Sequence, residues 1–336
     1  QMTFYNNREE LLRHGINFPR LGIGSKNHSA LVSLYHPDPL RYQKNLRIGV
    51  TTAEQVERIN AKSILTLRRA LKSNRSEKIV FSAEGLMHLS ARRLFKLRSE
   101  LEPYAASFRV IVYVRDPYST VESLIQQRVR DGQTYPQILT NPPYPRYSRI
   151  MASIRAFGRE NVDIRIFDKL RLFGSDLIAD FIHAVGAKPE LANQLEIART
   201  NEALSHEAAY LLHEINKQSS TKEKDSPNLP HKIALLRWLA ALPGQPYRCP
   251  PEMWEAVRPL VAKEVAWLHD TLDRQIFSAT APVLPQPEPY WQEQTLAAIA
   301  LKLNELAARE SWSDWARRHA HSLSDAVRQW PRPRRH

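Results

Sequence analysis

Apolar spacing changes repeatedly along the first 190 residues of the chain, and each change marks an element. Val56, Ile59, Ile64, Leu67 and Leu71 recur along one side of a helix, which predicts a helix over 52–71. Residues 78–82 are short, apolar and β-branched, the pattern of a buried strand, and Ser90 stands where it can cap the helix that follows. Residues 108–114 are almost continuously apolar, as in a parallel strand covered on both faces. Asp116 and Pro117 then supply a cap and a first-turn proline for a helix reaching about Arg130. Tyr147, Ile150, Met151, Ile154 and Phe157 predict a helix stopped by Gly158, and 162–167 alternates like a half-exposed strand. Ser175 is expected to open a helix through Ile178, Phe181, Ile182 and Val185 to Gly186. Earlier, Asn7 with Glu10 three residues on reads as a capping box for a helix closed by Gly15.

Strand alternating with helix predicts an α/β layer structure around a parallel sheet. Beyond residue 190 the pattern is helical only, and all seven tryptophans lie from Trp238 onward. Residues 282–289 carry four prolines and read as a stiff linker, which divides the chain into a 1–281 domain and a 290–336 helical extension with a basic tail. Residues 219–228 are polar and read as a loop, and 131–146, with prolines 136, 142, 143 and 145, as a long connection suited to a lid.

Charge adds a class of partner. Lys and Arg number 48 against 35 Asp and Glu, a net +13, which favours anionic partners such as nucleotides, phosphates, sulfated sugars or nucleic acid. The densest runs, 68–75 and 92–98, flank apolar helical positions, so solvated helix faces explain them equally. No zinc-finger spacing or RNA-recognition motif accompanies the charge, and no specific nucleic acid is expected. No stretch reaches the ~20 apolar residues of a membrane span. The single cysteine, Cys249, excludes an internal disulfide framework or thiolate cluster, and no leader opens the sequence, so a cytoplasmic location is expected. Nothing in the sequence fixes the oligomeric state.

The segment richest in chemistry is Val112-Tyr-Val-Arg115-Asp-Pro-Tyr-Ser-Thr-Val-Glu-Ser123. A buried strand ends on an arginine and a helix begins at once. Open parallel sheets bind ligands at their carboxyl edge, helix starts favour anions, and a guanidinium adds bidentate oxygen contacts. Ser123 lies two turns on, ~10 Å along the axis, with Ser119 and Thr120 as nearer hydroxyls. A plain alternative pairs Arg115 with a neighbouring carboxylate and leaves Ser123 on the surface.

In residue type and spacing, Arg115, Asp116, Pro117 and Ser123 resemble the sulfotransferases that use 3′-phosphoadenosine 5′-phosphosulfate (PAPS), in their bacterial form. Segments 7–19, 82–86, 157–162, 180–186 and 201–205 are similar to further landmarks of that family, and the likeness covers roughly residues 1–275. It implies a three-layer P-loop-NTPase-like core with a parallel sheet, and PAPS as donor with no metal. It also implies sulfuryl transfer to a hydroxyl or amine of a carbohydrate or small molecule, with Arg115 and Ser123 on the donor's 3′-phosphate. The family's strand and Gly-x-x-Lys-Thr/Ser loop for the 5′-phosphosulfate are expected before Gln1, so the chain reads as lacking that half of the site. Gly22-Ile-Gly-Ser-Lys26 has no strand before it and reads as a surface loop.

The resemblance places Glu84 where a base faces the acceptor, with a capping or salt-bridged role as the alternative. His28 is the second candidate base, against a solvated loop histidine. Arg128 and Arg130 are candidates for an anionic acceptor, against ordinary surface arginines. A non-enzymatic alternative is a basic polyanion- or nucleic-acid-binding protein on a degenerate nucleotide-binding fold. A kinase-like phosphotransferase would require a Gly-Lys-Ser/Thr loop and a magnesium carboxylate, which the sequence does not place in context.

Overall fold

The computed structural model describes residues 1–21, 26–198, 203–219, 229–240, 242, 244–278, 280, 296–297 and 299–301. In chain order the first elements are α1 (Met2–Asn6), α2 (Arg8–Arg13), β1 (Ile16–Asn17), α3 (Ser29–Tyr35), α4 (Gln43–Arg47), α5 (Ala53–Lys72), β2 (Lys78–Ile79) and α6 (Ala91–Leu101). There follow β3 (Val110–Val114), α7 (Pro117–Arg130), α8 (Tyr135–Leu139), α9 (Ile150–Phe157), β4 (Val162–Ile166) and α10 (Leu177–Ala184). The last are α11 (His206–Ser219), α12 (Leu229–Ala240) and α13 (Pro251–Leu272). Two compact units result, Gln1–Arg115 with Tyr147–Thr200 and Asp116–Arg146 with the residues from 201 on. The expected linker at 282–289 lies outside the described residues, as do 220–228 and nearly all of 290–336.

In the first unit the strands form two parallel pairs. Ile16 and Asn17 of β1 face Lys78 and Ile79 of β2, and β3 runs beside β4 from Val110 opposite Val162 to Val114 opposite Ile166. This is an α/β arrangement of helices with small parallel sheets. The β2 ladder stops short of the expected 78–82 for a chemical reason. Val80 N–H still donates to Asn17 O at 2.8 Å, but Pro19, two residues past β1, has no N–H to continue the ladder. The N–H and C=O of Ser82 turn to His28 instead.

The helices around these pairs follow local chemistry. Thr52 and Gln55 close a reciprocal capping box on α5, which buries Val56, Ser63, Leu67 and Leu71. Phe4, Leu11, Ile16, Phe18, Ile182, Leu191 and Leu195 form a common core, with Phe4 edge-on to Phe181 at 5.0 Å. Three expected caps are corrected, the first being Ser90, which precedes α6 without a side-chain capping bond. Asn7 makes no capping bond; its amide pairs with both backbone groups of Glu196, at 2.9 Å each, and so ties α1 and α2 to a segment 189 residues on. At α10 the cap is Asp176, whose Oδ1 accepts from Ile178 and Ala179 N–H, while Ser175 sits in the turn before it at φ +54°.

On the face of β3 and β4, Asp180 is only 1% exposed, yet it is satisfied on every side. Arg165 grips it with two N–H···O bonds of 2.6 Å, Tyr113 donates at 2.6 Å and Phe173 N–H at 2.8 Å. Burial alone would raise this carboxyl; the Arg165 fork, the Phe173 N–H and the Tyr113 hydroxyl outweigh it and hold it at about 2. Arg165 also reaches Asp163 at 3.1 Å.

In the second unit α7 turns Tyr118, Val121, Glu122, Ile125, Gln126 and Val129 inward. Asn216 donates to the Val129 and Gln133 carbonyls and so closes the C-terminal end of α7. Gln126 pairs with both backbone groups of Leu204 at 3.1 Å, and Tyr118 meets Trp254 edge-on at 5.1 Å. The 131–146 connection is not an open loop. It contains α8, whose Tyr135 stacks on His213 at 4.3 Å and donates its N–H to His213 Nδ1. Burial pushes that imidazole down to about 4, against the pull of Glu214, so His213 is a neutral acceptor at neutral pH. No helix among the described residues is long and apolar enough to cross a membrane.

Candidate functional site

The carboxyl ends of both parallel pairs open onto polar groups. At the β1·β2 end, His28 is 1% exposed and joins the two strand exits. Its Nδ1 accepts from Ser82 N–H at 2.8 Å and its Nε2 donates to Pro19 O at 2.7 Å, while Phe18 and Phe81 cover the ring. An Nδ1 that accepts and an Nε2 that donates define one neutral tautomer. Burial lowers the imidazole further, although both backbone contacts oppose it. His28 is neither the solvated histidine nor the exposed base that the sequence suggests. Both nitrogens are spent on the scaffold.

That scaffold presents Glu84. It opens the 3-10 turn Glu84–His88 immediately after the strand exit and is exposed. The turn lies close on α3, because a Cβ at Gly85 would stand 2.9 Å from Val32 Cγ1. Lys44 and Tyr42 feel the Glu84 charge. Burial first, and Glu84 second, push the Tyr42 phenol up; partial burial draws the Lys44 ammonium down while Glu84 opposes it. Lys44 also donates to Asn27 Oδ1 at 3.1 Å, and Tyr42 stacks on His36 at 5.3 Å.

At the β3·β4 end, Arg115 follows the strand directly and is exposed. Its guanidinium lies 5.2 Å from the centroid of the Phe167 ring, and among the described residues no carboxylate pairs with it. The backbone is fixed from both sides: Tyr147 donates its hydroxyl to Arg115 O at 2.5 Å, and Phe167 N–H donates to Val114 O at 2.7 Å. The 3-10 turn Tyr147–Arg149 then links the two sheet ends. Tyr147 holds Arg115 O, and Arg149 hydrogen-bonds His88 on the turn that Glu84 opens. Arg115 and Glu84 are thereby tied to one another through Tyr147, Arg149 and His88 of the first unit.

The remaining sequence candidates fall differently. Ser123 stands exposed on α7, in the second unit. Ser119 Oγ and Thr120 Oγ1 both donate to Asp116 O, and Asp116 Oδ1 takes the Ser119 N–H at 2.8 Å. The start of α7 therefore carries its own carboxylate as cap. Arg128 donates to Gln133 Oε1 at 3.2 Å. Arg130 is half-buried, and that burial draws its guanidinium down, so it differs from a surface arginine. Beside Ser123, Glu122 is buried against Arg248 at 3.2 Å and Cys249 N–H at 3.4 Å, and burial raises its carboxyl. Burial also pushes the Cys249 thiol up to about 12, which keeps it protonated.

Tyr147, Arg149, His88, Tyr42 and Lys44 escape the sequence reading. Tyr147 reads there as one more apolar helix position, and residues 42–44 carry no periodicity. The chain matches no protein-family model, no curated protein and no solved structure.

Proposed function

We propose that the protein is a PAPS-dependent sulfotransferase whose donor phosphate is held by Arg115. The observation that carries this reading is an exposed guanidinium at the carboxyl end of a parallel strand pair, backed by Phe167 and without a carboxylate partner among the described residues. An arginine in that setting offers its fork to an oxyanion. The resemblance assigns Ser123 the second contact, and in this reading a three-layer P-loop-NTPase-like core frames the site.

Glu84 is the base. As the acceptor oxygen or nitrogen bonds to sulfur, Glu84 takes the acceptor's proton. The bond from sulfur to the 5′-phosphate oxygen breaks, and adenosine 3′,5′-bisphosphate leaves. The Lys44 ammonium lies within electrostatic reach of that carboxylate. His28 has no proton-transfer role here; it fixes the strand exits from which Glu84 projects. Arg128 remains a candidate for an anionic acceptor, Arg130 less so because of its burial.

Titration calorimetry with adenosine 3′,5′-bisphosphate tests the assignment. The wild-type chain is expected to bind and Arg115→Ala to lose roughly 10–100-fold in affinity. Equal affinities, or no binding by either protein, overturn it. Salt-steep binding to generic polyanions with no nucleotide binding would favour the non-enzymatic alternative.

A further inference from the structure

The helix α5 has two unlike sides. Val56, Ser63, Leu67 and Leu71 are buried on one. Arg58, Lys62, Leu65, Arg69 and Lys72 follow one another at steps of four, three, four and three residues, and all five are exposed. Those steps place them on a single stripe, ~21 Å long at 1.5 Å per residue. Among the described residues none of the four cations is paired with a carboxylate, whereas Arg68 on the flank is spent on Glu100 at 2.7 Å. Glu54 and Glu57 bound the stripe at its start. Beside it lies an open groove of about 570 Å³, lined by Tyr35, Phe95, Lys96, Ser99 and Glu100. Phe95 there is 50% exposed, and Arg92 and Lys96 add two exposed cations from α6.

Four unpaired charges in a line match a linear polyanion better than a compact anion. A membrane surface requires a continuous apolar face, and this one holds Leu65 alone among cations. Single-stranded nucleic acid requires successive aromatic platforms; the stripe has none, and the groove exposes one ring. Sequence-specific docking on duplex DNA requires an element free to enter a groove, whereas α5 is packed along its length. A charged polysaccharide requires only the spaced cations and the counterions they release. We infer that the exposed face of α5 docks a linear polysaccharide bearing sulfate or carboxylate groups. This surface is separate from the Arg115 site and stands or falls without it.

The test is binding of the full chain to a size-defined heparin oligosaccharide across a salt series. Lys62→Glu with Arg69→Glu should weaken binding about tenfold or more near 0.1 M salt and flatten the salt dependence. Lys169→Glu with Lys188→Glu reverses two exposed lysines elsewhere on the same unit and should change affinity by less than about twofold. Equal losses in both double variants would reduce the effect to net charge and overturn the inference. Tighter binding of duplex or single-stranded DNA or of anionic phospholipid vesicles through Lys62 and Arg69 would overturn it as well, as would no binding. Should either glutamate pair lower the unfolding midpoint, Lys62→Gln with Arg69→Gln is read against Lys169→Gln with Lys188→Gln in the same way.

Discussion

Arg165 and Arg115 belong to the same pair of strands and have opposite fates. Arg165 lies within β4, opposite Tyr113, and is committed to Asp180 and Asp163. Arg115 lies one residue past β3, rests on Phe167 and meets no carboxylate among the described residues. The β1·β2 end repeats the contrast, with His28 committed to Pro19 and Ser82 and Glu84 exposed beyond it. Arg165 and His28 are paired to hold the fold. Past the strand ends, Arg115 and Glu84 are left to meet something else.

The largest expected effect breaks the committed side. Asp180→Ala leaves Arg165 facing the lost bonds and should cost about 3–5 kcal/mol in urea unfolding. The pH dependence follows the same carboxylate. Its folded value lies near 2, below the ~3.9 of an unfolded Asp, so its stabilisation is full above pH ~4 and lost as pH falls towards 2. Asp180→Asn should flatten that acid limb. On the uncommitted side, Glu84→Gln should slow donor turnover by about 100-fold, read as release of adenosine 3′,5′-bisphosphate, and leave unfolding within ~0.5 kcal/mol.

Arg115→Ala should likewise keep its stability within ~0.5 kcal/mol while nucleotide affinity falls roughly 10–100-fold. A large stability loss in Arg115→Ala would erase the contrast with Arg165. His28 supplies a smaller, pH-dependent signal. Its folded value is lowered, so the unfolded state binds the proton first, and its contribution is full above pH ~6.5 and lost as pH falls below it. The slope should reach at most ~1.4 kcal/mol per pH unit, and His28→Gln should abolish it. Ser123→Ala is expected to weaken nucleotide binding several-fold, about 1 kcal/mol, in the same calorimetric assay, and no change would confine the donor contact to Arg115.

Much of the local structure was legible in the chain. The Asp116 cap, the Pro117 start and the Arg130 end of α7 stand where the sequence puts them, because capping and proline chemistry act within a few residues. The β3 and β4 strands follow their apolar patterns for the same reason. What escaped was non-local. Two-residue β1 leaves no periodicity, and Asn7 looks like a cap until its partner 189 residues away is in view. His28 looks like a loop histidine until Pro19 and Ser82 close on it, and a cap between Ser175 and Asp176 is decided by one backbone angle. Of the two residues proposed for the site, Arg115 stands directly after its strand as the chain order implies, and Glu84, named by the resemblance, follows the β2 exit. The Tyr147–Arg149 turn that anchors them was not legible, since its role depends on which carbonyl and which imidazole it meets.

The absent side chain at position 85 sets the tolerance of the whole strand exit. With Val32 Cγ1 only 2.9 Å from where a single carbon would sit, alanine there forces either the buried Val32 side chain or the turn to shift. The carboxylate one residue earlier would travel with it. Glycine at 85 thus acts as a spacer that keeps the turn against α3.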